Sequence, residues 1–141
     1  MSGFLLDTNI VSELVKPKPE PKVVEWIEAT NEELLFLSVL TLGEIRKGIA
    51  SIKDPARQVK LEAWVVGALP VRFANRILSI DKSIAERWGV LTATAKTSAN
   101  RRVPVIDGLL AATAQHHNLT LVTRNTADLL GTGIQVFNPW I

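Results

Sequence analysis

The sequence predicts a parallel α/β sandwich with a central, mainly parallel sheet of about five strands. Short runs of consecutive apolar residues recur along the chain, and such runs are typical of strands that are buried on both faces. Segments with the spacing of amphipathic helices lie between these runs. Because strands and helices alternate and short links join them, we expect helices to connect parallel strands and to pack against the sheet.

Two strands and four helices are predicted in the first half of the chain. The strands cover 4–6 and 34–38, where apolar residues follow one another. Asp7-Thr8-Asn9 supplies capping side chains for a helix over 10–15, and Lys16-Pro17-Lys18-Pro19 ends it because proline cannot continue a helix. The other helices, with their apolar residues, are 21–29 with Val24, Trp26 and Ile27, 41–52 with Leu42, Ile45, Ile49 and Ile52, and one opening at Asp54-Pro55 with Val59, Leu61, Trp64 and Val65.

Three strands and three helices are predicted in the second half. The strands cover 77–80, 119–122 and 134–137. Asp81 caps a long helix that runs through Ala95, and Pro104 precedes a helix over 105–116. A short helix over 125–130 ends before Gly131, a residue that suits the backbone conformation following a helix.

The composition indicates one domain over residues 1–141. This length is common for a single domain, and 47% of the residues are hydrophobic, which allows a substantial core. Charged residues interrupt every apolar run before it reaches the ~20 residues of a membrane span. The N-terminus carries no signal-like segment, and the absence of cysteine excludes disulfides and thiolate chemistry. We therefore expect a cytoplasmic protein without a membrane anchor.

The charge of the chain is unevenly distributed. Residues 1–70 hold 8 Lys and Arg against 10 Asp and Glu, whereas residues 71–141 hold 8 against 4. If a metal takes up the charge of the site carboxylates, the remainder is clearly basic and would suit a polyanionic partner. The alternative is that the lysines and arginines only solvate helix faces.

Polar residues follow the first and fourth predicted strands, at the point where each strand ends. Asp7 comes directly after the first strand, and Thr123-Arg124-Asn125 comes directly after the fourth. In parallel sheets, working sites lie outside the carboxyl ends of the strands, near a switch in strand order. Asp7 could instead only cap the next helix. Because Thr8 and Asn9 can cap equally well, we interpret Asp7 as a site residue.

Glu44 lies close to two glycines in a predicted helix. An exposed glutamate that pairs with Lys47 would contribute at most ~0.5 kcal/mol. Gly43 and Gly48 each cost about 1 kcal/mol in a helix interior. An ion pair between Glu44 and Lys47 does not explain why glycines stand there. Small residues on both sides would leave space beside the carboxylate, which favours a functional role for Glu44.

Asp107 projects from an apolar helix face, because its neighbours along that face are Leu110, Ala111 and Ala114. A carboxylate in the first turn of a helix is favoured by the helix dipole, and this is the alternative to a functional role. However, a carboxylate on an apolar face is costly unless a cation or hydrogen bonds compensate its charge. The pattern therefore favours a site residue.

Asp128 is the least distinctive of the four candidate acids, because Asn125 and Asp128 also have the spacing of a capping box. Carboxylates that converge without His or Cys favour a hard cation such as Mg²⁺ or Mn²⁺. Such a site suits phosphodiester hydrolysis, in which metal ions activate the attacking water and steady the departing oxygen.

Four segments resemble, in order and in spacing, the motifs of PIN-domain VapC toxins. They are FLLDTN at 4–9, LGEIRKG at 42–48, IDGLLA at 106–111 and LVTRNTAD at 121–128. The closing VFNPW at 136–140 is also similar to the usual ending of the family. The resemblance covers nearly the whole chain, and its motifs are highly specific.

This resemblance implies a three-layer α/β/α fold, an acidic pocket that binds Mg²⁺ (or Mn²⁺), and the endoribonuclease activity of a toxin. It also implies a homodimer and neutralisation by a VapB-type antitoxin. Asp7 and Asp107 match the principal metal ligands of the family. Glu44 matches a third acid that binds metal directly or through water.

The resemblance also implies roles for the residues around these acids. Thr8, Asn9 and Thr123 correspond to groups that orient the carboxylates. The fourth acid of the family matches either Asp128 or Asn125, where some PIN domains have Asp. In such families an Arg of the antitoxin can reach into the acidic pocket. Cations that could hold RNA phosphates, or only solvate the surface, are Arg46, Lys47, Arg101, Arg102 and Arg124.

Two other functions are compatible with part of the pattern. A phosphatase of the haloacid-dehalogenase type also begins with an acid after its first strand. That chemistry requires a second Asp two residues further on, where this chain has Asn9, and a late Lys that the sequence does not supply. A degenerate PIN domain that only binds RNA or a partner would not need Asp7, Glu44 and Asp107 together, and all three are present.

Overall fold

In the computed structural model, which describes residues 2–141, five parallel strands form one sheet. The strands are β1 (Phe4–Leu6), β2 (Leu35–Ser38), β3 (Ile77–Leu78), β4 (Thr120–Val122) and β5 (Val136–Phe137). Their order in the sheet is β3-β2-β1-β4-β5. The predicted parallel sheet is therefore confirmed. The single domain predicted over residues 1–141 includes Met1, which lies outside the described residues.

Seven α-helices connect these strands. They are α1 (Thr8–Leu14), α2 (Pro21–Ala29), α3 (Val39–Ala50), α4 (Pro55–Ala63), α5 (Leu69–Arg72), α6 (Lys82–Ala99) and α7 (Val105–His116). Short 3-10 turns occur at Glu32–Leu34 and Thr126–Leu129. The predicted helix over 125–130 is thus a 3-10 turn, and the predicted strands over 77–80 and 134–137 are shortened to two residues each.

Two hydrophobic cores lie on opposite faces of the sheet, because successive side chains of a strand point to opposite faces. Leu6 packs with apolar residues of α1 to α5, whereas Leu5 packs with those of α6 and α7. The fold consequently has three layers, as expected. In α2, Val23 and Ile27 are the buried residues, whereas Val24 is only half-buried.

The predicted helix from Asp54-Pro55 onward is interrupted. After α4 the chain makes a wider π turn over Trp64–Ala68 and then continues as α5. Pro70 is the second residue after this turn and has no N–H to donate to the preceding turn, which is a physical reason for the change in winding. No helix within residues 2–141 is long and apolar enough to cross a membrane.

The strand order creates a switch point between β1 and β4. The chain places β2 and β3 on one side of β1 and then crosses over to place β4 and β5 on the other. Asp7 directly follows β1, and its backbone N–H donates to the carbonyl of Val122 at 2.9 Å. Thr123 ends β4, and its N–H donates to the carbonyl of Phe137 at 2.9 Å. The polar residues that follow β1 and β4 therefore meet at one edge.

Candidate active site

Asp7 lies at this edge, with only 5% of its surface exposed. One oxygen of its carboxylate accepts a hydrogen bond from the N–H of Thr8 at 2.7 Å, and the other accepts one from the Thr123 hydroxyl at 2.7 Å. Asp7 is also the N-cap of α1, which begins at Thr8 rather than at Ile10. The expectation that Thr8 or Asn9 could cap this helix equally well was wrong, since Asp7 is the cap, and its second oxygen accepts the hydrogen bond from Thr123.

Burial raises the pKa of Asp7 above its ordinary value, and the nearby charge of Glu44 raises it further. The hydrogen bonds from Thr123 and Thr8 act in the opposite direction, because they stabilise the carboxylate. No Lys or Arg within residues 2–141 forms an ion pair with Asp7. The ionised form of this buried acid is therefore only partly compensated by the protein.

Asp107 lies in the first turn of α7, beside Leu110, Ala111 and Ala114, which are all fully buried as the sequence predicted. Desolvation raises the pKa of Asp107 to about 6, and the charge of Asp7 is the next cause. The charges of Asp128 and Glu44 add to the shift. This acid thus senses all three other candidate carboxylates, which places the four in one electrostatic neighbourhood.

Glu44 projects half-buried from α3, and one of its carboxylate oxygens accepts a 2.5 Å hydrogen bond from the Thr8 hydroxyl. The alternative pairing with Lys47 is not formed within the described residues. A Cβ added at Gly43 or Gly48 would meet nothing within 4 Å. The packing of the chain therefore does not require either glycine, and the space around them is open.

Thr123 and Asn9 link the two sides of the edge. The Thr123 hydroxyl accepts hydrogen bonds from the N–H of Asn125 at 3.0 Å and from the Asn9 amide at 3.4 Å. The Asn9 amide also lies 3.4 Å from Asp7, and its oxygen accepts from the N–H of Arg124 at 3.4 Å. Since both other partners of the Thr123 hydroxyl are donors, its single proton is directed to the Asp7 carboxylate.

Asp128 lies exposed in the 3-10 turn over Thr126–Leu129, where its charge contributes to the raised pKa of Asp107. The side chain of Asn125 makes no capping hydrogen bond there, so the capping box is not formed. Asn125 contacts the site through its backbone N–H alone among the described hydrogen bonds. Asp128 rather than Asn125 is the residue that adds negative charge at this position.

Glu13 is a buried acid on α1 that the sequence did not indicate as a candidate. Glu13 is 5% exposed, pairs with Lys16 at 2.9 Å and accepts the N–H of Glu20 at 2.9 Å. The hydrogen bond from Lys16 is the main reason that its pKa is lowered. Glu13 differs from the other acids because it has its own cation, and nothing in its local sequence indicated burial.

The donors at the site are suited to a hard metal ion, although they do not form a complete shell. Within the described residues, no three His, Asp or Glu side chains lie close enough together to enclose a metal ion by themselves. Mg²⁺ does not require such a cage, because it keeps several waters and uses one or two carboxylates with substrate oxygens. Oxygen donors without a compensating Lys or Arg fit this mode of binding.

The fold and the acidic edge at its switch point together define a PIN-type α/β protein. Residues 4–129 match the PIN domain family, and the chain belongs to this family. Toxin FitB of Neisseria gonorrhoeae is 35% identical to it over 97% of this chain and 98% of that protein. VapC ribonuclease Y4jK of Sinorhizobium fredii is also 35% identical, over 97% of both chains.

Solved structures give the same result. The crystal structure of FitAcB from Neisseria gonorrhoeae has a TM-score of 0.92 at 34% identity and covers 97% of this chain and 98% of that one. A toxin–antitoxin complex from Klebsiella pneumoniae has a TM-score of 0.73 at 30% identity, with 97% and 98% covered. The similarity thus extends over the whole fold and includes every element that carries a candidate site residue.

Proposed function

We propose that this chain is the toxin of a toxin–antitoxin pair and acts in the cytoplasm as a Mg²⁺-dependent endoribonuclease. The observation that carries the proposal is that the charges of Asp7, Asp128 and Glu44 all act on Asp107 at the switch point, while no Lys or Arg within residues 2–141 forms an ion pair with any of these four acids. The relatives named as a toxin and as a VapC ribonuclease support it, because they are similar over nearly their whole length.

Asp7 and Asp107 would hold the metal, with Glu44 as a third acid and Asp128 at the rim of the site. When bound, Mg²⁺ or Mn²⁺ would polarise water and stabilise charge on the phosphoryl oxygens. Thr123 and Thr8 direct their protons to Asp7 and Glu44 and so keep an oxygen of each carboxylate in a fixed orientation. The scissile phosphate would lie outside the ends of β1 and β4, where these oxygens converge.

The proposal is tested by removing one carboxylate at a time. Asp7→Asn and Asp107→Asn are expected to abolish RNA cleavage while the fold, followed by circular dichroism, is retained. Glu86→Gln is the matched control, since Glu86 is an exposed carboxylate on α6 whose ion-pair partner among the described residues is Lys82. Sequencing of RNA 5′ ends after incubation in Mg²⁺ gives the readout. Normal cleavage by either Asp variant would refute the site.

We also propose a homodimer and a VapB-type antitoxin as partners. A mainly apolar groove between α1, α3 and α4 opens beside Glu44 and is lined by Ile45, Ile49, Leu61 and Trp64. Its position would let a bound antitoxin segment place an Arg at the acidic edge. A small open reading frame beside the gene should encode a protein that co-purifies with this chain and suppresses cleavage.

Light scattering on the isolated chain tests the proposed homodimer, and a monomer at all concentrations would contradict it.

A further inference from the structure

Arg124 lies next to the acidic site in the chain. It follows Thr123, whose hydroxyl is bonded to the Asp7 carboxylate at 2.7 Å. Its own N–H donates to the side-chain oxygen of Asn9 at 3.4 Å, which ties the Arg124 backbone to the start of α1. The backbone of Arg124 is therefore held in a fixed position relative to the proposed metal ligands.

The Arg124 side chain is held on the C-terminal segment. The Thr123 N–H pairs with the carbonyl of Phe137, so the end of β4 lies beside the end of β5. After β5, the N–H of Trp140 donates to the side chain of Asn138 at 2.8 Å, which turns the chain. The Trp140 ring, half-buried against the first core, then lies 5.1 Å from the Arg124 guanidinium carbon. This distance is typical of a cation–π contact.

The hydrogen-bonding capacity of the Arg124 side chain remains free. Arg124 is exposed, and its charge helps to lower the pKa of Glu13, but no carboxylate within residues 2–141 lies close enough to form an ion pair with it. None of the described side-chain hydrogen bonds uses its guanidinium, and only its backbone N–H is engaged. Stacking occupies one face of a guanidinium and leaves the N–H groups along its edge available for an anion.

A cation in this position meets a need of the proposed reaction. An RNA strand that reaches the four carboxylates brings further phosphates close to the same negative charge, and these are repelled. The contact with the Trp140 ring holds the Arg124 guanidinium at a fixed place beside the C-terminal segment. We propose that Arg124, positioned by Trp140, binds a phosphate of the RNA strand adjoining the one that is cleaved. This inference rests on the proposed function and adds a substrate-binding site outside the metal pocket.

The test compares Arg124→Gln with Arg87→Gln, which removes the same charge from a part of α6 that borders none of the four acids. Binding of a short single-stranded RNA of mixed sequence is measured in Ca²⁺ at several salt concentrations. Arg124→Gln is expected to raise Kd about ten-fold and to reduce the slope of log Kd against log salt by about 0.7, as loss of one phosphate contact requires. Arg87→Gln should leave Kd within about two-fold of wild type.

Three further variants separate a binding role from a merely structural one. Trp140→Leu removes the aromatic ring, and it is expected to weaken RNA binding less than Arg124→Gln does. The double variant should be no weaker than Arg124→Gln, because Trp140 acts through Arg124. Arg124→Lys keeps the charge but loses the planar stack, and it should fall between wild type and Arg124→Gln. Stabilisation by Mg²⁺ should be equal in all of these proteins.

The outcomes distinguish this inference from the proposed function. Equal loss of RNA affinity in Arg124→Gln and Arg87→Gln would overturn it, as would a lower Tm with unchanged Kd, which indicates that the contact only fastens the C-terminus. Either result leaves RNA cleavage by Asp7 and Asp107 intact. If wild type binds RNA through Arg124 but does not cut it in Mg²⁺, the nuclease proposal fails and the phosphate site stands.

Discussion

Two threonine hydroxyls determine how the carboxylates at the site are oriented. The Thr123 hydroxyl receives two donors and therefore gives its proton to Asp7, and the Thr8 hydroxyl gives its proton to Glu44. Each of these two carboxylates is thereby held in place as a hydrogen-bond acceptor. Groups that orient metal ligands in this manner commonly change metal affinity by about 10- to 100-fold when they are removed.

Thr123→Val tests this orientation at nearly constant volume. We expect Mg²⁺ affinity to fall by about ten-fold, because Asp7 loses the hydrogen bond that most strongly lowers its pKa. Isothermal titration with Mg²⁺ measures the effect. Thr120→Val on β4 is the control, since the Thr120 hydroxyl donates to the exposed Gln135 side chain at 3.4 Å and to no candidate site residue among those that the structure describes. Equal affinity in the Thr123 and Thr120 variants would contradict the assigned role.

The raised pKa of Asp107 predicts how stability depends on pH in the absence of metal. The pKa of Asp107 is about 6 in the folded chain, whereas the ordinary value for an aspartate is 3.8. The folded state therefore binds the carboxyl proton more tightly than the unfolded state does. The contribution of this proton to folding stability is fully present below pH 3.8 and is lost as the pH rises through about 6. Asp107→Asn is expected to flatten this part of the curve in urea unfolding. A decline of the same size in the variant would exclude Asp107 as its source.

At the scale of elements, the existence of the strands and helices could be predicted better than their ends. Apolar runs identify buried strands, but they do not show where pairing with a neighbour stops, so β3 and β5 were predicted too long. Asp7, Thr8 and Asn9 are all good capping residues, and only the packed chain decides that Asp7 caps α1. The apolar spacing also gave no sign of the π turn over Trp64–Ala68, which precedes Pro70.

The open surroundings of Gly43 predict a stabilising substitution in α3. Gly43→Ala should raise the free energy of unfolding by about 0.5–1 kcal/mol, since alanine restricts the unfolded chain and its Cβ meets no atom within 4 Å. Gly108→Ala provides the contrast in α7, because its Cβ would lie 3.0 Å from the Trp88 ring and should destabilise the protein. Urea unfolding measures the free energy of unfolding of both variants, and a loss of stability in Gly43→Ala would refute the predicted stabilisation.

At the scale of the whole molecule, the site was predictable where topology brings distant segments together. Asp7 and Thr123 end neighbouring strands, and the rule for parallel sheets places both at one edge. The contact between Arg124 and Trp140 was not predictable in the same way. It depends on how the chain turns after β5 and on which ring is left accessible there, and no local pattern specifies either.

The acidic site is expected to lower the stability of the metal-free protein and to make it responsive to Mg²⁺. Carboxylates that are desolvated and mutually repelling favour unfolding until a cation compensates them. Mg²⁺ should therefore raise the Tm of the wild type at neutral pH, by an amount that grows with its concentration. Asp107→Asn should be more stable than wild type without metal and should respond less to Mg²⁺. Differential scanning fluorimetry measures both, and identical responses of the two proteins would contradict the proposed ligands.

The outermost strands of the sheet are only two residues long on both sides. Each margin thus exposes very few unpaired backbone groups, and a foreign strand finds almost no template to extend. This protects a parallel sheet from uncontrolled growth by strand addition. It also limits how two copies can associate, because a continuous intermolecular sheet would have little to join. Self-association of this chain is accordingly expected through helical surfaces, with the sheet enclosed within each subunit.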